Sequence, residues 1–444
     1  MVSRMSYDIG KILAQQRKSK SALNIFLKIL KVNPKDLKTN FQIGKIYFEL
    51  NDLKKSIYYF EKCDNIEPNN INVLTNLAIT YQFLGKIEKS KKIYLKIISI
   101  DPRNIKSYFG LYFLNIKNIN SKFYQNLKKF INDKKISLYE KCIINFIFSR
   151  FEKKNNNLQK EIECLMKYHN LCYEANIQFN RQSDFYYNKI ISNHYNKIEF
   201  KENYEIKTTF NELNHIFIIG LPRSGSTLVE TIISHNETDI ISVGELHGIN
   251  TSILKQIGKV IYDKDFMYEN YKVCIDRKVF QESLIERYDN FEKKLYLDKS
   301  LENFFNIEII LEFFPNAKFL HTYRNINDAV IAIYQSMLPE LSWTHKIGTI
   351  KDYVNIYQTV MNYFKKKYPN KILDIKLDNL TDNKEYETKR ILNFCNIKFN
   401  ENYLDFNNNE KLYNKTNSFL QVREKINIYD DKKYKPYYFL LNKI

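Results

Sequence analysis

Apolar positions follow two regimes along the chain. Up to about residue 175 they recur every three or four residues in segments of helical length, separated by short polar turns; from residue 216 short β-branched runs alternate with helical stretches. In the first regime Pro34, Pro68 and Pro102 stand 34 residues apart, in Asn-Pro-Lys-Asp, Glu-Pro-Asn-Asn and Asp-Pro-Arg-Asn. Proline cannot continue a helix, so each one ends a helix and starts the next turn. Counting back from each proline, small residues recur at Gly10, Gly44 and Ala78, with Gly110 two residues short of the same place in a fourth unit. Tyr47 and Tyr81 share a later position of that helix. The second helix of each unit carries Ala22, Ser56 and Ser90 as small residues and Phe26, Phe60 and Tyr94 as large ones. Small positions let paired helices approach, and large ones fill the groove between units. Residues 137–175 read as two amphipathic helices split by an Asn/Lys turn, capping the array, with a further helix around Phe185–Tyr195.

The second regime opens with IFIIGLPRSGSTLVETIISH, a buried strand over Ile216–Ile219, a tight loop from Gly220 to Gly225 and a helix beginning near Ser226. Backbone N–H groups of such a loop and the positive end of the helix converge on one point, where Arg223, Ser224, Gly225, Ser226 and Thr227 supply donors for an anion. A nucleoside triphosphate loop needs a Lys where this chain has Ser226, which disfavours a kinase. Downstream, residues 296–315 read as a short turn and helix, AKFLHTYRN as a second strand, INDAVIAIYQSML as a helix and NKILDIKLDNL as a third strand. Strands alternating with helices predict a mostly parallel sheet with ligands at the carboxyl ends of its strands. The fold class is therefore an α-helical repeat array followed by an α/β, P-loop-like domain. The polar stretch at 198–212 divides the chain into 1–205 and 206–444.

Residues 3–115 resemble tetratricopeptide repeats, whose period is also 34 residues. Residues 214–436 resemble the sulfotransferases that follow such repeats in bacterial proteins, a branch similar to the tyrosylprotein sulfotransferases. GLPRSGST is similar to the family's 5′-phosphosulfate loop, VGEL puts Glu245 at the place of the catalytic base, and LDKSLENF puts Lys299 where the transferring sulfuryl group is contacted. FLHTYRNINDAV resembles the segment whose arginine binds the 3′-phosphate, here Arg324, and TNSFLQVREKI resembles a late segment that adds Ser418, with Lys433 beyond it. The resemblance implies 3′-phosphoadenosine-5′-phosphosulfate (PAPS) as sulfuryl donor and no metal. Glu245, Lys299 and Arg223 would be catalytic, and the loop residues, Arg324, Ser418 and Lys433 would bind the nucleotide. Two positions depart from the family: Ala332 stands for a serine and Leu377 for a tyrosine. Losing one donor to a phosphate costs about 1.5–3 kcal/mol. Ser336, one helical turn beyond Ala332, is the candidate replacement.

Composition narrows the partners. The formal net charge of +19 attracts acidic partners, but its lysines are scattered along the chain rather than gathered into a nucleic-acid stripe. The six cysteines, Cys63, Cys142, Cys164, Cys172, Cys274 and Cys395, show no metal-site spacing and are expected reduced. His235, His247 and His321 are scattered likewise, and Trp343 is expected in packing. No run approaches the ~20 apolar residues of a membrane span, and the N-terminus lacks a signal-peptide core, so a soluble cytoplasmic protein is expected. The leading function is sulfuryl transfer to an acceptor hydroxyl of a tyrosine, a carbohydrate or a small molecule, with the repeats holding a peptide or protein. The alternative is an interaction protein whose second domain retains the nucleotide fold and little activity.

Overall fold

The computed structural model describes residues 2–16, 18–115, 120–185, 215–234, 240–245, 249, 295–404, 430 and 432–442. The predicted segments at 198–212 and 416–426, the helix expected around Phe185–Tyr195 from residue 186 onward, and His235, His247, Cys274 and Ser418, lie outside them. The chain divides into two compact units, the first running from the N-terminus to Ala175.

The first unit is a series of helices: α1 (Val2–Gln15), α2 (Ser19–Val32), α3 (Leu37–Glu49), α4 (Leu53–Ile66), α5 (Ile71–Phe83), α6 (Ile87–Ile100), α7 (Ile105–Leu114), α8 (Ser121–Lys128), α9 (Leu138–Lys154) and α10 (Leu158–Ala175). The 34-residue period reaches the caps. Two residues after each proline, the side chains of Asp36, Asn70 and Asn104 accept from the exposed N–H groups of the next helix. The small and large positions meet as their spacing predicts. A methyl group on Gly44 would come within 2.7 Å of the Phe60 ring, and one on Gly110 within 2.3 Å of the Tyr94 ring. Ser56 Oγ donates to the Gly44 carbonyl at 2.9 Å, and Ser90 Oγ repeats the bond on the Ala78 carbonyl at 2.8 Å. Helices α9 and α10 are the two amphipathic helices expected over 137–175, and Ser137 with Glu140 forms a capping box at the start of α9.

The second unit begins with α11 (Ile177–Phe185), which the helical pattern alone had grouped with the repeat array. It packs instead on a short 3-10 helix, Ser342–His345, where Ser342 Oγ donates to Ser183 Oγ at 2.9 Å. Then follow β1 (His215–Gly220), α12 (Ser226–Ser234), β2 (Ile240–Gly244), β3 (Leu295–Asp298), α13 (Ile307–Phe313), β4 (Lys318–Tyr323), α14 (Ile326–Tyr334), α15 (Ile347–Lys367), β5 (Ile372–Lys376), α16 (Leu377–Asp382) and α17 (Lys384–Phe394). A 3-10 segment, Lys435–Asn442, comes last. The strands form one parallel sheet in the order β2-β3-β1-β4-β5. All of β1 is buried, as expected of a central strand covered on both faces. On one face Ile216 and Ile218 join Val229, Ile232 and Ile233 of α12 and Ile391 and Leu392 of α17. On the other, Phe217 stacks on Phe319 and His215 on Phe314. Strands β2 and β3 were not expected from the sequence, where Leu295–Asp298 reads as part of a turn. They are short, and β2 is only partly buried, so neither carries the apolar run that marks β1.

Candidate functional site

The central strand delivers its loop under steric constraint. Gly220 has φ +139°, and a Cβ there would lie 2.2 Å from the Thr322 carbonyl oxygen of β4. Only glycine fits so close to a neighbouring backbone. The loop then turns through Arg223 at φ +67° and Gly225 at φ +92°, and α12 starts at Ser226. Ser224 is buried, its hydroxyl donating to the Leu221 carbonyl at 2.6 Å and lying 2.8 Å from Thr322 Oγ1. That side chain ties the loop to β4. Ser226 and Thr227 are buried at the first turn of α12. Leu377, standing where the sulfotransferases have a tyrosine, packs against the loop: its Cδ1 would lie 2.7 Å from a Cβ on Gly225.

Strands β2 and β3 bring the second group of predicted residues together. Lys299, immediately after β3, is 1% exposed, and its Nζ donates to Glu245 Oε1, just past β2, at 2.8 Å. A second carboxylate, which sequence reading missed, stands behind it: Glu230 Oε2 on α12 lies 3.7 Å from the same Nζ. Ser242 Oγ of β2 donates to the other oxygen of Glu230 at 2.6 Å. Glu230 sits between Val229 and Thr231 in a buried stretch of α12, and a carboxylate in such a stretch was the available signal. Burial drives the Lys299 pKa down, but Glu230, Glu245 and Asp298 together outweigh it and hold the ammonium above its ordinary value. Asp298, at the end of β3, is pushed up to about 6 by burial, against the Ser300 N–H that donates to it at 2.7 Å and the charge of Lys299.

On the other side of β1, Arg324 follows β4 directly. It is buried, donates from Nη1 to the Arg223 carbonyl at 3.2 Å and lies 4.8 Å from the centre of the Tyr434 ring. Lys433 Nζ approaches the same ring at 5.4 Å. The structure thus gathers Arg324 and Lys433 about an aromatic residue the sequence reading did not single out. Tyr438 of the last 3-10 segment donates to Asp328 Oδ1 on α14 at 2.6 Å, and Lys351 of α15 donates to the Leu441 carbonyl at 3.3 Å, fastening that segment beside the start of α14. Ser336 spends its proton on the Ala332 carbonyl at 2.7 Å, which leaves its oxygen only as an acceptor. His321 is buried between Asp374 Oδ1, at 2.7 Å, and the Tyr357 hydroxyl; burial lowers its pKa although Asp374 opposes this. Trp343 stacks on Tyr353 at 3.7 Å.

Loop, Lys299 with Glu245, and Arg324 all lie at the carboxyl ends of β1, β2, β3 and β4, where an open parallel sheet binds its ligands. Among the described residues no cluster of three or more His, Cys, Asp or Glu is arranged to hold a metal, and no helix is long and apolar enough to cross a membrane.

Comparison with known proteins finds matches in both units. Residues 215–401 match the model of the sulfotransferase family, and residues 37–70 and 71–104 each match the tetratricopeptide repeat. An uncharacterized protein of Aquifex aeolicus (strain VF5) is 25% identical over 230 residues, 48% of this chain and 29% of that protein. The chain therefore spans less than a third of the curated relative it matches. Among solved structures, the MamA RS-1 ArsTM double mutant covers 38% of this chain and 93% of its own length at 13% identity and a TM-score of 0.32.

Proposed function

For a chain that joins tetratricopeptide repeats to a sulfotransferase-family domain, we propose PAPS-dependent transfer of a sulfuryl group to an acceptor hydroxyl. The observation that carries this reading is the meeting of Lys299 and Glu245 at 2.8 Å, from stretches 54 residues apart, at the sheet edge that also presents the anion loop. The donor set suits a nucleotide with two separated phosphate groups. Arg223, Ser226, Thr227 and the loop N–H groups would serve one phosphate, and Arg324, which meets the loop at the Arg223 carbonyl, would serve the other with Lys433.

PAPS supplies, when bound, an activated sulfuryl group on a phosphate leaving group. Glu245 would take the proton of the acceptor hydroxyl as that oxygen replaces the phosphate on sulfur. Lys299 and Arg223 would hold the 5′-phosphosulfate end, so that charge gathering on the leaving group would meet cations already in place. Arg324 and Lys433 would hold the 3′-phosphate, the role the resemblance also gives Ser418. Glu245 is half exposed while Lys299 is enclosed, which suits a base that must meet an incoming hydroxyl and a cation that must not meet water. The repeats would bind a peptide or protein, and the surplus of positive charge favours an acidic one.

Calorimetric titration tests the reading. The protein is expected to bind 3′-phosphoadenosine-5′-phosphate at least about tenfold more tightly than AMP, because charge-assisted bonds read the 3′-phosphate. Equal affinities, or a preference for ATP with magnesium, would overturn it. With an acceptor found among acidic tyrosine peptides and glycans, Glu245→Gln should leave nucleotide affinity within about twofold while turnover falls by roughly 10²–10⁴. Unchanged turnover removes Glu245 from the base role, and absence of any transfer by the wild type favours the interaction protein.

A further inference from the structure

Lys299 is surrounded by more negative charge than one ammonium neutralises. Among the described residues, Glu245 faces it from the end of β2, Glu230 from α12 and Asp298 from its own strand. The two glutamates are unlike. The Glu245 side chain is 50% exposed, whereas that of Glu230 is 10% exposed and pinned by the Ser242 hydroxyl, with its second oxygen left toward Lys299.

We infer that Glu230 is a positioning residue, the standing counter-charge that keeps Lys299 an ammonium when Glu245 turns away to take a proton. An enclosed lysine with one carboxylate would face a conflict. As soon as that carboxylate left or was protonated, burial would act alone and the lysine would shed its own proton. The cation would vanish at the step that needs it. A second carboxylate, buried and fixed, removes the conflict. It also weakens the hold of Lys299 on Glu245, since the ammonium's field is shared between two partners. A charge pair out of water is screened less, so the longer Glu230 contact keeps more of its Coulomb attraction than the half-exposed Glu245 contact does at its shorter distance.

The catalytic meaning rests on the sulfotransferase reading, but the electrostatic statement is tested without it. The charge state of Lys299 is followed in the full chain by ¹³C NMR of ε-labelled lysine against pH, its signal assigned by loss in Lys299→Arg. In Glu245→Gln, a substitution at a half-exposed position, Lys299 is expected to remain fully protonated at pH 7. In Glu230→Gln its midpoint should fall at least as far as in Glu245→Gln, and Glu230→Asp should restore part of the fall. The double variant Glu230→Gln/Glu245→Gln should show the largest drop.

Deprotonation of Lys299 near neutral pH in Glu245→Gln overturns the inference even if Glu230→Gln does not fold. A Glu230→Gln midpoint equal to wild type also overturns it. If the titrations come out as expected and no 3′-phosphonucleotide binds, the functional reading fails alone. If the nucleotide binds and the titrations do not, the role of Glu230 fails alone.

Discussion

The two units solve the same problem over different distances. In the repeats a buried hydroxyl finds its partner 12 residues away, as Ser56 does on Gly44 and Ser90 on Ala78. In the sheet unit the site depends on meetings 54 residues apart for Lys299 and Glu245, 101 for Arg324 and Arg223, and 110 for Tyr438 and Asp328. A short-range contact repeats with the sequence, so the sequence announces it. A long-range contact exists only once the sheet order is set, and single changes there should spread further.

The sharpest way to break the comparison is Gly220→Ala. Its Cβ would meet the Thr322 carbonyl in a backbone conformation that alanine avoids, so the loss should be about 3 kcal/mol or more. Urea denaturation should show the sheet unit unfolding earlier while the repeat helices keep their transition. A joint shift of both would mean that the two units unfold as one.

Asp298→Asn sharpens the contrast through pH. The wild-type carboxyl titrates near 6 in the fold against an ordinary 3.8, so the folded state binds the proton more tightly. Its contribution is full below about 3.8 and is lost as pH rises through 6, up to about 3 kcal/mol in all. The stability difference, wild type minus variant, should therefore fall between pH 4 and 7, measured by denaturant melts at each pH. A constant difference would mean that burial does not shift this group.

Ser56→Ala should do least, about 1 kcal/mol for one buried hydrogen bond, with no effect on nucleotide binding. Ala22 already occupies the same register in the first unit, and it is fully buried there. A loss well beyond this in thermal melts would mean that the hydroxyl serves more than its own helix pair.

How much of this was legible follows the same division. The period set by Pro34, Pro68 and Pro102 located the helix pairs and their small and large contacts, because all are decided within one unit, and the structure added the caps at Asp36, Asn70 and Asn104. In the second unit β1, β4 and β5 were readable as short apolar runs, β1 and β5 rich in isoleucine and β4 in Phe319, Leu320 and Tyr323, and Gly220, Gly225 and Arg223 as a loop. Strands β2 and β3 were not, because runs of only five and four residues are too short to show a period, whether partly buried as in β2 or mostly buried as in β3. The resemblance named Glu245 and Lys299 separately. It could not show that they pair, nor that Tyr434 stands beside Arg324 and Lys433.

What the sequence determined by itself was the helix repeat, the tight loop between β1 and α12 and the chemical kind of each candidate residue, since these rest on local sterics and side-chain identity. Only the tertiary structure decided that β3 lies between β2 and β1. That order puts Lys299 between Glu245 and Glu230, and it is fixed by burial of both faces of the sheet, a property no short stretch of sequence contains.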